Sequence, residues 1–345
     1  MRTIGYAIVG TGTISEFHYR SIAALEGARF IGVHSRNESR GKECAEQWNG
    51  DAFASYSALL ADPRVDVVAI ATPSGSHAAL AEAALRAGKH VVVEKPIAMR
   101  AADAERLHRL AVAAGKICSV VSQRRFEPVM QWVYGLVRNG SFGVLYYLEG
   151  ICPFYRPQSY YDASPWRGTL AEDGGAVMNQ GIHMLDLMLW IGGSVREVSG
   201  AIDTFSHRME AEDFGMAQLR YESGTLGYFM AATATYPGFP PTLRVFGERG
   251  SVFVVGSDIA HCSVPAANPP TSAPSGSSTG AGEADPKQIP YEPHQRQYAD
   301  IHESIATGRR PSIASEEGVR AVAVAEAIYR SHREKRPVAV EEMIE

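Results

Sequence analysis

At 345 residues, 45% of them hydrophobic and 21% charged, the chain is globular in composition and long enough for two domains. Its net charge of -5, without a Lys/Arg-rich block, argues against nucleic-acid and anionic-membrane partners, and its short apolar runs predict neither a membrane span nor a signal peptide. Its four scattered cysteines form no CxxC pair, so a cytoplasmic location is expected and no metal site is predicted.

The first 122 residues alternate short apolar runs with segments of helical period. The apolar runs predict strands at 4–9, 29–33, 65–71, 91–93 and 116–121 and a short strand near Phe53, and the helical segments are 14–25, 39–48 and 76–87. Alternation at this spacing predicts right-handed βαβ units. The expected fold is a doubly wound parallel sheet of the Rossmann type over residues 1–122.

A glycine turn joins the first predicted strand to the first predicted helix. Its residues are Gly10, Thr11, Gly12, Thr13 and Ile14. Such a turn lets backbone N–H groups and the helix N-terminus approach a pyrophosphate closely. The third motif position holds Ser15, which is small enough for the helix to pack on the strand. The turn predicts dinucleotide binding, and the alternative is a turn with a structural role alone.

The end of the second strand concerns the choice between NAD and NADP. NAD binders usually carry Asp or Glu there, which accepts hydrogen bonds from the ribose 2′-hydroxyl. This chain has Ser35 and Arg36, with Arg40 one turn further on, and a hydroxyl and guanidinium groups bind a 2′-phosphate. NADP is therefore predicted as the cofactor, with NAD possible. The alternative is that the two arginines solvate the start of a helix.

A loop after the strand at 65–71 reaches the same edge of the predicted sheet. It contains Thr72, Pro73 and His77 and is expected to line the nicotinamide side of the cofactor. Ser76 or His77 could instead cap the next helix, and this interpretation is at least as good as a binding role for His77.

The run Glu94-Lys95-Pro96 follows the strand at 91–93. Ligands of open α/β sheets bind outside the carboxyl ends of the strands, so Lys95 is expected among the reacting groups. Glu94 is expected to position Lys95 or to contact the cofactor ribose. The alternative is a surface loop with a charge pair.

From residue 123 onwards, longer segments of alternating polarity predict a mostly antiparallel sheet. Residues 123–345 are therefore expected to form a second, α/β domain for substrate binding and oligomerisation. One sheet face would be covered by helices and the other left free for another subunit, which favours a homodimer or homotetramer. Residues 256–290 are rich in Pro, Ser, Gly and Ala and are predicted to be a mobile loop.

A second polar cluster lies in a helical pattern from Gly175 to Trp190. Asn179, His183 and Asp186 fall at i, i+4 and i+7, so one helix face would carry all three. Polar groups on an apolar helix need partners. A His183–Asp186 hydrogen bond in the core is the plain alternative to a catalytic role, and no third ligand supports a metal site.

Together these motifs resemble the Gfo/Idh/MocA family of NAD(P)-dependent oxidoreductases, which act mainly on sugars, polyols and sugar derivatives. The resemblance rests on the glycine turn, Asp62-Pro63 through Thr72-Pro73 and His77, Ala87-Gly88-Lys89-His90, Glu94-Lys95-Pro96, Trp166-Arg167-Gly168, and Gly174-Gly175 through His183 and Asp186. It implies an open sheet used in oligomerisation, and Lys95 and His183 facing the substrate across the nicotinamide. Many members carry Asp at the position of Asn179. Asparagine cannot accept a proton, so Asn179 is expected to hydrogen-bond a substrate hydroxyl instead.

The predicted activity is hydride transfer between the nicotinamide and a carbinol or carbonyl of a sugar, polyol or sugar derivative. Lys95 and His183 would handle the proton, with Asp186 fixing the tautomer of His183. The substrate contacts are expected at Lys95, Arg125, Tyr161, Trp166, Arg167, Asn179 and His183. Two alternatives remain. One is a hydrolase that retains a nicotinamide and cleaves a glycosidic bond by transient oxidation, and the other is a nucleotide-sensing binding protein without catalysis.

Overall fold

A computed structural model describes residues 3–270 and 291–344, and these residues form two compact units. Within the described part, the first unit takes residues 3–99, 103–123 and 291–319, and the second takes 100–102, 124–270 and 320–344. Residues 291–319 were expected in the second domain but group with the first unit.

The first unit is built on one six-stranded sheet. Its strands are β1 Ile4–Val9, β2 Ala28–His34, β3 Asp51–Phe53, β4 Val67–Ile70, β5 His90–Val93 and β6 Cys118–Val120. They lie in the order β3-β2-β1-β4-β5-β6, and every neighbouring pair is parallel. The predicted parallel Rossmann sheet is confirmed.

The second unit contains an eight-stranded sheet. Its strands are β7 Leu145–Pro153, β8 Val195–Asp203, β9 Phe214–Tyr221, β10 Leu226–Ala232, β11 Thr242–Gly247, β12 Gly250–Val255, β13 Asp258–Cys262 and β14 Val338–Ala339. Their order is β13-β12-β11-β7-β10-β9-β8-β14. Within this sheet, β7–β10 is the only parallel pair among the described strands, so the prediction of a mostly antiparallel sheet is confirmed.

The described residues also form ten α-helices. They are α1 Thr13–Ala23, α2 Glu38–Gln47, α3 Tyr56–Ala61, α4 His77–Arg86, α5 Ala101–Ala113, α6 Pro128–Arg138, α7 Gln158–Asp162, α8 Ile182–Gly192, α9 Glu292–Thr307 and α10 Ser315–Glu334. Short 3₁₀ turns lie at Ser74–Ser76, Gln123–Phe126 and Val340–Met343, and a π-turn lies at Ala176–Gln180. None of the helices in residues 3–270 and 291–344 has the length and apolar character needed to cross a membrane.

In the first unit, the central strands are buried on both faces, as their continuous apolar runs predict. Val91, Val92 and Val93 of β5 have no exposed surface. Helix α9 packs against α1 and contributes Tyr298 and Ile301 to the core around β1. This packing is the physical reason why a segment so late in the chain belongs to the first unit.

In the second unit, one face of the sheet is covered by helices. Helix α8 lies against β7, and Ser331 of α10 accepts a hydrogen bond from the backbone N–H of Gly200 in β8 at 3.0 Å. The opposite face carries a row of large side chains across five strands, namely Tyr147, Met216, Tyr228, Phe246 and Phe253. Met216 is 40% exposed, so this face presents apolar groups within the described unit.

The prediction of a mobile loop over 256–290 is wrong for its first part. Asp258–Cys262 forms β13, which pairs antiparallel with β12 and extends the edge of the sheet. The rest of that prediction, over 271–290, lies outside the described residues. Helices α3, α5, α6 and α7 had no counterpart among the predicted elements, whereas α9 and α10 agree with helical periodicity at 295–305 and 316–331.

Candidate active site

The glycine turn at the end of β1 has the shape that a phosphate cradle requires. Gly10 has φ +110°, and a Cβ there would lie 2.3 Å from the carbonyl oxygen of Ala71. At Gly12, the N-cap of α1, a Cβ would meet no atom of the described chain within 4 Å. Gly10 therefore allows the close approach of β4, whereas Gly12 leaves open space in front of the helix N-terminus. These features fit a bound pyrophosphate.

The residues predicted to select the cofactor lie at the end of the neighbouring strand β2. Ser35 and Thr11 of the glycine turn share a hydrogen bond of 3.0 Å between their hydroxyl groups. Arg36 and Arg40 are both exposed. Arg40 donates to Glu43 at 2.9 Å, and this hydrogen bond raises the pKa of its guanidinium further. Arg36 makes no hydrogen bond or ion pair with the described residues, so its charge is available to a ligand.

The loop after β4 is tied to the loop after β5 by His77. Its Nδ1 lies 2.7 Å from the carbonyl oxygen of Pro96, and its Nε2 lies 2.9 Å from that of Thr72. Burial lowers the pKa of His77, in opposition to these two contacts. The capping interpretation is wrong, because the Ser76 side chain makes no cap bond and donates to the carbonyl of Pro73 instead. His77 is 1% exposed and therefore fixes the two loops from below the surface.

Glu94 points into the interior of the first unit. Its Oε1 accepts from His18 Nε2 at 3.0 Å, and Oε2 accepts from the backbone N–H of Lys95 at 3.2 Å. Burial alone raises the pKa of Glu94, but the hydrogen bond from His18 and the nearby charges outweigh burial and hold this pKa at about 2. Glu94 is therefore a buried anion that anchors the backbone of Lys95.

Behind Glu94, the hydrogen bonds continue to α9. The hydroxyl of Tyr298 lies 2.6 Å from His18 Nδ1. Burial raises the pKa of Tyr298 well above its ordinary value, so the hydroxyl keeps its proton in this bond. His294, also on α9, packs its ring 6.5 Å from that of His18, and burial lowers its pKa to about 4. The base of the Lys95 loop is thus held by a buried polar chain.

In the second unit, the helical pattern of the His183 cluster contains an irregularity. Residues 176–180 form a π-turn, and α8 begins only at Ile182, so the prediction of one continuous α-helix is wrong. The π-turn has a wider backbone ring than an α-helix, so Asn179 and His183 do not share a regular i, i+4 face. The amide of Asn179 donates to Asp173, which also accepts from the backbone N–H of Gly168 at 2.8 Å. His183 is half-buried at the start of α8.

Asp186 is engaged by an arginine. Arg125 donates to it twice, from Nε at 2.8 Å and from Nη2 at 2.6 Å, and both side chains are 6% exposed. A bidentate buried pair of this kind needs both members, since removal of one leaves an uncompensated charge. Fixing of the His183 tautomer by Asp186 and contact of Arg125 with the substrate stay predictions.

The remaining predicted substrate residues lie near one another in the second unit. Tyr161 is buried, and its hydroxyl shares a hydrogen bond of 2.7 Å with Thr233. Trp166 and Arg167 are half-buried, and the Arg167 guanidinium lies 5.5 Å from the Trp166 ring and 3.9 Å from the ring of Tyr160. Substrate contact by these residues stays a prediction.

Glu212 was not among the predicted site residues. It lies beside the π-turn, where one carboxyl oxygen accepts from the backbone N–H of Val177 at 2.8 Å and from the hydroxyl of Tyr329 at 3.0 Å. Burial raises the pKa of Glu212 to about 7, against the opposing effect of these two donors. The sequence around Glu212 carries no signal for such burial, because the surroundings of this side chain come from distant segments.

Glu212→Gln should change how stability depends on pH. Between the ordinary pKa of 4.5 and the folded value of about 7, the unfolded carboxyl is ionised while the folded one stays protonated. The free energy of unfolding of the wild type should therefore fall by roughly 3 kcal/mol relative to the glutamine variant as pH rises from about 4 to 8. Denaturant unfolding across this range measures the difference. Parallel profiles of the two proteins would contradict the shifted pKa.

Two family descriptions match the chain. Residues 4–122 match an oxidoreductase family with an NAD-binding Rossmann fold, and residues 130–253 match the GFO/IDH/MocA C-terminal domain. One similar solved structure is the WlbA dehydrogenase from Bordetella pertussis in complex with NADH and UDP-GlcNAcA. It superposes with a TM-score of 0.87 at 31% identity, covering 98% of this chain and 99% of that chain.

Two relatives with named activities add to this comparison. UDP-N-acetylglucosamine 3-dehydrogenase of Acidithiobacillus ferrooxidans is 31% identical over 67% of this chain and 67% of that enzyme. The scyllo-inositol 2-dehydrogenase (NADP(+)) of Bacillus subtilis is 27% identical over 98% of this chain and 95% of that enzyme. Similar proteins thus include one bound to NADH and one named for NADP.

Proposed function

Since the chain belongs to the Gfo/Idh/MocA family and is an NAD(P)-dependent oxidoreductase, we propose that it interconverts a carbinol and a carbonyl on a sugar, polyol or sugar derivative, with Lys95 and His183 handling the proton. The observation that carries the proposal is the position of Lys95. It is half-buried at the carboxyl end of β5, on a backbone held by the buried anion Glu94. Reacting groups of open α/β sheets lie at this edge.

A bound nicotinamide supplies the hydride in reduction and accepts it in oxidation. The residues of the chain move the proton. In the reducing direction, the ammonium group of Lys95 donates a proton to the carbonyl oxygen, and in the oxidising direction the neutral amine takes the hydroxyl proton. His183 is proposed to share or relay this proton, and Asn179, oriented by Asp173, to hydrogen-bond a substrate hydroxyl.

A screen of sugars and polyols with NADP and NAD tests the proposed function, with the absorbance of the reduced nicotinamide as readout. We expect reduction of the cofactor by at least one sugar or polyol. Cleavage of a glycoside without net formation of reduced cofactor would establish the hydrolase alternative. Cofactor binding without turnover across the whole panel would establish the sensor alternative. Either result would overturn the dehydrogenase proposal.

For the cofactor, we propose NADP. Two observations support this. Position 35 holds a serine and not the carboxylate that is usual in NAD binders, and the exposed Arg36 has no ion pair among the described residues. Arg36→Ala should weaken NADPH binding about tenfold, because it removes one charge-assisted hydrogen bond to the 2′-phosphate, and should leave NADH binding unchanged. Arg40→Ala is the comparison variant, with a smaller expected effect because Glu43 already engages that side chain. Calorimetric titration with both cofactors measures this, and equal losses for NADPH and NADH would contradict the assignment.

We also propose a homodimer or homotetramer in which the uncovered face of the second sheet is buried. The support is the row of aromatic and methionine side chains on that face, including Tyr147 and Phe246 with ring centroids 5.7 Å apart. Exposed apolar patches of this kind usually mark an interface. Sedimentation at micromolar concentration should give a mass above that of one chain.

A further inference from the structure

Two arginines of the second unit flank a single tyrosine ring. The guanidinium of Arg167 lies 3.9 Å from the centroid of the Tyr160 ring, and that of Arg156 lies 5.7 Å from it. Arg156 is 6% exposed, and Arg167 is half-buried. Both charges therefore lie beside the same aromatic ring, one of them buried and the other half-buried.

The donors of both arginines are only partly used. Arg156 donates from Nη1 to the carbonyl of Tyr155 at 3.0 Å and from Nη2 to Gln180 Oε1 at 3.1 Å. Arg167 donates from Nη1 to the carbonyl of Tyr160 at 3.0 Å. The Nε atom of each arginine is buried and has no hydrogen-bond partner in the described chain. Buried donors without partners are rare in folded proteins.

The charges are also uncompensated. Neither Arg156 nor Arg167 forms an ion pair with any residue in 3–270 or 291–344, whereas Arg125 of the same unit is paired with Asp186. Burial of an unpaired charge is strongly unfavourable. Stacking on an aromatic ring offsets only part of that cost. The arrangement therefore fits an anion supplied from outside the described chain.

The position of the cluster indicates which molecule brings the anion. Gln180, which holds Arg156, is the last residue of the π-turn and follows Asn179 directly, three residues before His183. Arg167 belongs to the Trp166-Arg167 pair predicted to contact the substrate. The cluster thus adjoins residues proposed for the substrate, and a guanidinium matches the paired oxygens of a carboxylate or phosphate.

We propose that Arg156 and Arg167, spaced by Tyr160, bind an anionic group of the substrate, so that the enzyme acts on a sugar acid or a sugar phosphate in preference to the neutral sugar. This inference rests on the proposed function. It narrows the substrate class from sugars and polyols in general to anionic sugar derivatives, and it assigns to Arg156 a role in specificity.

The experiment compares matched neutral and anionic sugars in the wild type and in Arg167→Met, Arg156→Gln and the control Arg196→Met, an exposed arginine on β8. The probes are glucose, glucuronate, glucose 6-phosphate, N-acetylglucosamine and UDP-N-acetylglucosamine. We expect the wild type to prefer one anionic member. Each cluster variant should lower kcat/KM for that member about tenfold or more through KM, and should lower it much less for the matched neutral sugar. Arg196→Met should leave kcat/KM for both sugars unchanged. The glucuronate and phosphate arms distinguish a carboxylate from a phosphate.

Calorimetric titration with glucuronate, glucose 6-phosphate and UDP tests anion binding independently of the proposed function, because it does not require turnover. Anion binding that is lost in Arg167→Met supports the cluster even if no sugar is turned over. Arg167 is the less buried of the two, so its variant carries the test if Arg156→Gln does not fold. The inference is overturned if the wild type shows neither anion binding nor anionic preference. It is equally overturned if the variants lose affinity for NADPH instead, because the anion would then belong to the cofactor.

Discussion

Replacement of Lys95 by methionine should reduce turnover by roughly a hundredfold or more while NADPH binding is retained. Methionine replaces the unbranched apolar stem of lysine but has no group that donates or accepts a proton at neutral pH. The lysine backbone lies at the end of β5, where Glu94 accepts its N–H, and methionine preserves that bond. The loss should therefore appear in kcat and kcat/KM together, as expected when an interaction specific to the transition state is removed.

Lys42→Met is the matched control for this experiment. Lys42 is exposed on α2 and has no place in the proposed site, so its replacement should leave turnover unchanged. Steady-state rates and calorimetric titration with NADPH give the two readouts. Near-normal turnover in the Lys95 variant would exclude its role in proton transfer.

The second large effect concerns the two glycines of the turn after β1. Replacement of Gly10 should mainly lower stability, whereas replacement of Gly12 should mainly lower cofactor affinity. Gly10→Ala should destabilise the first unit by at least about 2 kcal/mol, because alanine is strained at φ +110° and its Cβ would lie 2.3 Å from the carbonyl oxygen of Ala71. Gly12→Ala should fold with a stability change within about 1 kcal/mol, since its φ of -73° suits alanine and no atom stands within 4 Å of the new methyl group.

Cofactor affinity should nevertheless fall about tenfold or more in Gly12→Ala, because the methyl group occupies space that a pyrophosphate needs at the N-terminus of α1. Thermal unfolding measures the loss of stability in Gly10→Ala, and NADPH titration measures the loss of affinity in Gly12→Ala. If Gly12→Ala binds the cofactor as tightly as the wild type, the pyrophosphate does not lie at this turn.

The first sheet could be predicted in detail because its signals are local. The run Ile4–Val9, the glycines that follow it and the helical period after them specify a strand, a turn and a helix within some twenty residues. The same reasoning placed Lys95 at a strand end, since the apolar run of β5 stops abruptly at Glu94. The edge strand β13 was missed, because its residues do not alternate strictly in polarity. Its strand conformation depends on pairing with β12.

The contacts of the candidate site could not be predicted in this way, because they join residues that are far apart in the sequence. Tyr298 and Glu94 contact His18 across 280 and 76 residues of sequence, and Arg125 reaches Asp186 across 61. The π-turn before His183 differs from an α-helix in its hydrogen-bond register, which the pattern of polar and apolar residues does not record.

The amino-acid sequence by itself determined the Rossmann architecture, the mostly antiparallel second sheet and the family. These follow from periodicity and from motifs within short windows, where backbone geometry and burial of one face are decided locally. Only the tertiary structure decided that α9 returns to the first unit, that Glu94 is a buried anion, and that Arg156 and Arg167 have no carboxylate partner in the described chain. Burial and charge pairing depend on which distant segments surround a side chain, and chain order alone does not specify that environment.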